Sequence, residues 1–131
     1  MKAESRRDKV GELIDRLGTA LSNSDFRTAA GCFAFPSLII TEAGTTSLKT
    51  LEEAEQMFAK SGEWYHSRGL VSTKGELEKF EEISDTVASI DVRWPSFDDA
   101  GKEKQVESSH YIIQVDTEGN FKVCCALTRT K

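Results

Sequence analysis

The hydrophobic period of this chain changes along its length, and that change limits the possible folds more than any motif does. Near the N-terminus Val10, Leu13, Ile14, Leu17 and Leu21 recur every three or four positions, the stripe of an amphipathic helix. From Thr86 to Trp94 the period is two. Ala88, Ile90, Val92 and Trp94 fall on one face, with Ser89, Asp91 and Arg93 on the other, as a half-buried strand requires. Glu103–Val115 repeats the pattern with Ser109, Tyr111, Ile113 and Val115, and a last segment does so with Phe121, Val123, Cys125 and Leu127. Asp98-Asp99-Ala100-Gly101 and Asp116-Thr117-Glu118-Gly119-Asn120 are turn sequences between these segments. Helices followed by an antiparallel meander make an α+β chain.

The intervening residues fit that plan. Ser5 and Asp8 suit a helix start, and Ser24 or Asp25 caps a second helix with Phe26, Ala29, Ala30 and Phe33 on its inner face. Pro36 ends that helix and pushes Phe35 toward extended geometry. Leu38–Thr41 and Thr45–Leu48 read as a small hairpin around Gly44. Thr50 and Glu53 form a capping box for a third helix. That helix reaches about Arg68, with Leu51, Ala54, Phe58, Ser61 and Tyr65 on one face, Met57 and Trp64 beside them, and Gly69 as its C-terminal cap. Gly62 weakens its middle by about 1 kcal/mol. Glu76–Ile83 reads as a strand with blurred alternation, and Thr128–Lys131 as a frayed tail. No linker or repeat divides the 131 residues, so 1–131 is expected to be one domain.

Composition narrows the function. The 17 basic and 22 acidic residues give a net charge of −5. The densest basic spot, Lys2, Arg6, Arg7 and Lys9, is interleaved with Glu4 and Asp8, so a nucleic-acid partner is not expected. No apolar run approaches the roughly 20 residues of a membrane span, and the charged start lacks a signal-peptide core. A cytoplasmic, membrane-free protein is expected. The three cysteines, Cys32, Cys124 and Cys125, read as reduced thiols. Neighbours in a strand point to opposite faces, so Cys124 and Cys125 do not readily share a metal. His66 and His110 have no acid at ligand spacing, and no metal is expected; His66 suits the dipole at a helix C-terminus. Without a phosphate-cradling glycine loop, nucleotide fingerprint, nucleophile elbow or H-E-x-x-H motif, no cofactor is expected either.

Long twisted strands curve, and three helices covering the concave side leave a hollow wherever they fail to fill it. Phe33, Phe35, Phe58, Tyr65, Trp94 and Tyr111 are the large groups expected to line a ligand pocket there.

The element order resembles the nuclear-transport-factor-2-like superfamily, the cone-shaped α+β fold of SnoaL-like cyclases and ketosteroid isomerases. The likeness runs from about Ser5 to Arg129. It is carried by Asp25-Phe26, Cys32-Phe33-Ala34-Phe35-Pro36, Leu38-Ile39-Ile40, Thr50-Leu51-Glu52-Glu53-Ala54, His110-Tyr111-Ile112-Ile113 and Glu118-Gly119-Asn120-Phe121-Lys122-Val123. It implies N-terminal helices packed on a curved antiparallel sheet, and commonly a homodimer. Isomerase-like members place a tyrosine, an aspartate base and a late-strand acid at positions that correspond to Leu17, Thr41 and Tyr111. Leucine donates no hydrogen bond and threonine is a poor base, so only Tyr111 keeps a usable group. The fold itself assigns no function.

Three functions follow as expectations. The first is a domain binding a small, largely apolar ligand, with Tyr111 holding a carbonyl or hydroxyl. The second is a cofactor-independent isomerase, cyclase or dehydratase, with Tyr111 as electrophile and Glu42 or His110 as base. The third is a dimeric assembly domain whose outer sheet face, carrying His110, Ile112, Asp91 and Arg93, pairs with a second copy. The Asp91/Arg93 pair is also the kind of polar couple epoxide-hydrolase relatives of this fold use, or a surface ion pair.

Overall fold

The computed structural model describes residues 5–130. Lys2 and Glu4 of the charged N-terminal segment, and Lys131 of the tail, lie outside the described residues. Among those described, three helices and seven strands form: α1 (Arg6–Ser22), α2 (Phe26–Ala30), β1 (Phe33–Thr41), β2 (Gly44–Leu48), α3 (Leu51–Ser67), β3 (Ser72–Thr73), β4 (Glu76–Glu82), β5 (Val87–Phe97), β6 (Glu103–Val115) and β7 (Phe121–Thr130). None of these helices is long and apolar enough to cross a membrane.

The helix starts follow from capping chemistry. Ser5 Oγ accepts the Asp8 amide at 3.1 Å. Asp25 caps α2 by accepting the Thr28 amide at 3.2 Å, while Ser24 takes a left-handed turn conformation instead. Thr50 Oγ1 accepts the Glu53 amide at 3.2 Å, and Glu53 Oε1 reaches back to the Lys49 amide at 2.7 Å. Helix α3 runs unbroken through Gly62, where a Cβ would sit 2.6 Å from the Phe26 ring. The glycine lets α2 lay that ring against α3.

The sheet order is β2-β1-β7-β6-β5-β3, with β4 also paired to β5. The hairpin β1–β2 and the meander β5–β6–β7 are antiparallel as expected, but β1 runs parallel to β7. No tight turn joins those two strands, so no local geometry fixes their relative direction.

The local structure differs from the sequence reading in three places. Helix α2 stops at Ala30, and Phe33 already belongs to β1, which passes through Pro36. Proline is tolerated because Pro36 lies in the register shift between Phe33 and Leu38, where no ladder hydrogen bond needs its missing N–H. The C-terminal segment is not frayed, since Thr128, Arg129 and Thr130 pair with Ser109, Ser108 and Glu107. The third difference is a change of phase in β7. Ile112 pairs with Cys125 but Ile113 with Val123, so Cys124 is an extra residue in a bulge. Beyond it the inward residue is buried Ala126, while Cys125 is only half-buried and Leu127 is 44% exposed.

The α1 stripe, Val10, Leu13, Ile14 and Leu17, packs on buried Ala88, Ile90, Val92, Ile113 and Val123. A smaller cluster of Ala30, Leu48 and Ala54 seals the hairpin against α2 and α3. At Gly75 a Cβ would lie 2.4 Å from Ile14 Cγ2 and 2.8 Å from the Trp94 ring. The main chain can approach the indole there only without a side chain.

Candidate functional site

Toward one end of the concave face the helices do not reach the sheet, and a cavity of about 400 Å³ remains. That volume lies within the usual range for small-molecule sites. Leu17 and Leu21 of α1, Met57, Phe58 and Tyr65 of α3, Phe33, Ile39 and Thr41 of β1, and the inward groups of β5, β6 and β7 line it. The β7 bulge contributes directly. Continued alternation would have turned Cys125 and Leu127 inward; the shift places the small Ala126 and the polar Thr128 in the lining instead.

Polar groups gather where β5, β6 and β7 meet. Trp94 Nε1 donates to the Tyr111 hydroxyl at 2.9 Å. Ser109 Oγ and Thr128 Oγ1 share a hydrogen bond of 2.8 Å across β6 and β7. The Tyr65 hydroxyl, brought in from the last turns of α3, donates to Glu107 Oε1. Burial pushes the Tyr111 hydroxyl up to about 12; hydrogen bonds from Ser109 and Trp94 oppose this, and the nearby Glu107 charge adds to it. Tyr65 is likewise held above the ordinary phenol range by burial, its hydrogen bond to Glu107 and that carboxylate's charge. Both phenols therefore stay protonated at neutral pH and act as hydrogen-bonding groups.

Of the groups expected around a pocket, Phe33, Phe58, Tyr65, Trp94 and Tyr111 line this cavity. Phe33 and Phe58 meet edge to face with centroids 5.4 Å apart. Phe35 is not in the lining. The register shift of β1 turns it against the residues beneath the hairpin and the main core. Leu17, Thr41 and Tyr111, the three positions aligned through the family resemblance, converge on the cavity, though only Tyr111 brings a titratable group.

The two expected bases are elsewhere. Glu42 is exposed in the turn between β1 and β2. His110 lies on the outer face of β6, where Nδ1 is 2.6 Å from Asp91 Oδ1. Neither lines the cavity, so neither is placed to take a proton from a molecule held inside. Asp91 and Arg93 do not pair with each other: Asp91 is engaged by His110, and Arg93 lies between Glu76 (3.2 Å) and Glu103 (3.0 Å). His66 reaches the cavity rim from the end of α3 but is itself exposed.

Glu107 is the functional group the sequence reading passed over. Its signal was legible, because Glu107 shares the inward phase of Ser109, Tyr111 and Ile113 at two-residue spacing. A carboxylate on an otherwise apolar strand face is the anomaly to follow. Thr128 was hidden more deeply, since its orientation depends on the bulge. The bulge also changes the cysteines: Cys124 contacts Gln114 of the outer face (Sγ–Oε1 3.7 Å), so it projects to the same side as Cys125. Among the described residues no set of three or more metal-ligating side chains converges.

Helices folded over a curved, mostly antiparallel sheet with a cavity at the open end define the nuclear-transport-factor-2-like cone class, also called cystatin-like. Within it, the chain belongs to the family described as "NTF2-like protein (DUF6841)", whose model matches residues 7–131. Among solved structures, a cystatin-like domain of unknown function from Nostoc punctiforme superposes with TM-score 0.81 at 15% identity, covering 99% of this chain and 80% of that one. A ketosteroid isomerase-like protein from Erwinia carotovora gives 0.73 at 8% identity, covering 98% of each chain. An NTF-2 like protein of unknown function from Shewanella oneidensis gives 0.74 at 9%, covering 95% of this chain and 98% of that one. Likeness at such identities speaks for the fold alone. No curated protein sequence matches the chain.

Proposed function

We propose that this domain binds one small, largely apolar molecule inside the cone. The observation that carries this reading is the cavity of about 400 Å³, walled by Phe33, Phe58, Trp94, Leu17 and Ile39, with hydrogen-bonded pairs at the junction of β5, β6 and β7 and further serine and threonine hydroxyls around it. Apolar walls supply the free energy of binding, and the Trp94–Tyr111, Ser109–Thr128 and Tyr65–Glu107 pairs fix orientation. Any proton transfer on the bound molecule would fall to Glu107, the carboxylate that shares the cavity with Tyr111. The test is titration with a neutral naphthalene-based fluorescent probe. Saturable binding of one probe per chain, lost in Ala126→Trp, supports the reading; unsaturable binding, or binding that Ala126→Trp leaves unchanged, refutes it.

A second reading rests on a separate surface. Leu38 and Leu127, each 44% exposed, lie with Ile40, Ile112 and Cys125 in one stripe across the outer face of β1, β7 and β6, bordered by the His110–Asp91 pair. A second copy of the chain covers this stripe in a homodimer. Sedimentation then shows a dimer at micromolar concentration and a monomer for Leu127→Glu. A wild-type monomer overturns this reading.

A further inference from the structure

The charge distribution inside the cavity narrows the class of ligand, an inference that rests on the binding reading above. Among the described residues, Glu107 is the only acidic one in the lining, and no lysine or arginine lines the cavity. Among the same described residues, His66 brings the one ionisable nitrogen side chain of the lining, and it is exposed at the rim. Glu107 Oε1 accepts a neutral phenol, Tyr65, and no ion pair to Glu107 forms among the described residues. The nearby guanidinium of Arg93 is held by Glu76 and Glu103 outside the cavity.

A half-buried carboxylate beside a single neutral donor is incompletely compensated, and its field extends into the hollow. Around it stand the rings of Tyr65, Trp94, Tyr111, Phe33 and Phe58, whose faces attract positive charge and whose area favours an apolar body. An anionic ligand would meet this carboxylate with no cation to offset it. We propose that the ligand is a cationic amphiphile: an aromatic or alicyclic body seated against Phe33, Phe58 and Trp94, with a protonated amine directed at Glu107.

Three probes of matched body, naphthylmethylamine, naphthylmethanol and naphthoic acid, separate this inference from the binding reading beneath it. Each is titrated by fluorescence against the full chain and against Glu107→Gln, whose amide oxygen can still accept the Tyr65 hydroxyl. The expected result is that the amine binds at least about tenfold tighter than the acid, with the alcohol between them. In Glu107→Gln the amine loses its advantage over the acid, read as the ratio of the two affinities in that variant. Equal binding of amine and acid, or tighter binding of the acid, overturns the ligand class and leaves the binding reading standing. So does an amine preference that survives in a Glu107→Gln protein still binding the alcohol. If Glu107→Gln does not fold, the order of the three affinities in the unaltered chain decides the question. Failure of all three probes to bind overturns the binding reading and this inference with it.

Discussion

Ala88 and Ala126 are two buried alanines on the concave side of the sheet, yet adding the same two carbons should destabilise the protein at the first and not at the second. Ala88, fully buried on β5, lies within the packed core and does not line the cavity. Ala126 on β7, 4% exposed, lines it. Valine has the same strand preference and loses the same rotamer freedom at either position to first order, so those contributions cancel in the comparison. At Ala88 the added carbons meet close-packed neighbours, and such overpacking costs about 1–3 kcal/mol. At Ala126 they enter the cavity and bury apolar surface at about 0.8 kcal/mol per carbon, an upper bound of about 1.6 kcal/mol. The variants should therefore differ by about 1–5 kcal/mol, with Ala126→Val equal to or above the unaltered protein. Urea unfolding at constant slope reads this as separated midpoints, and thermal unfolding as roughly 3–5 °C for each kcal/mol. A126V should also weaken probe binding, since its methyls occupy the space. If A126V is destabilised as much as A88V, the space beside Ala126 is already filled, and the cavity on which the functional reading rests does not exist.

Gly75→Ala should destabilise by about 1–3 kcal/mol, read from the urea midpoint, because its Cβ would meet both Ile14 and Trp94 at less than contact distance. Both tyrosines of the chain are held above the ordinary phenol range, so the native protein should show little tyrosinate absorbance near pH 10. For Tyr111 the unfolded chain releases its proton first as pH rises, so its contribution to stability is complete below about pH 10 and lost as pH climbs toward about 12. Denaturant midpoints measured across that interval check the sign; a midpoint rising with pH contradicts it. Trp94→Phe should cost about 1–3 kcal/mol in chemical unfolding, because the buried Tyr111 hydroxyl loses the hydrogen bond donated by the indole. Thiol titration of the native protein should find the half-buried Cys124 and Cys125 accessible, with Cys124 slowed because burial and the neighbouring Cys125 push its thiol up. Cys32, fully buried and pushed up by that burial against the weaker pull of Arg16 and Lys122, should react only on unfolding.

Local chemistry made much of the fold legible in the sequence. The α1 stripe, the Thr50–Glu53 capping box and the two-residue alternation of β5 each rest on neighbours within a few positions, and each forms as the sequence implies. The inward faces of β5 and β6 followed from the same periodicity, which brought Trp94 and Tyr111 into the expected lining. Glu107 was within reach of that reasoning, because the pleat that orients Tyr111 orients it too.

Tertiary structure decided the rest, wherever a residue's direction depends on a strand it meets only after folding. The bulge at Cys124 lies where β7 pairs with β6 on one side and β1 on the other, and no signal in Phe121–Thr128 announces the extra residue. That shift sends Leu127 out and Thr128 in, and it sets both neighbouring thiols on one face. The parallel pairing of β1 with β7, the turning of Phe35 out of the cavity and the meeting of Tyr65 with Glu107 are likewise contacts between distant segments. Periodicity tells a chain which of its faces will be dry; only the assembled sheet determines where that dry surface is left hollow.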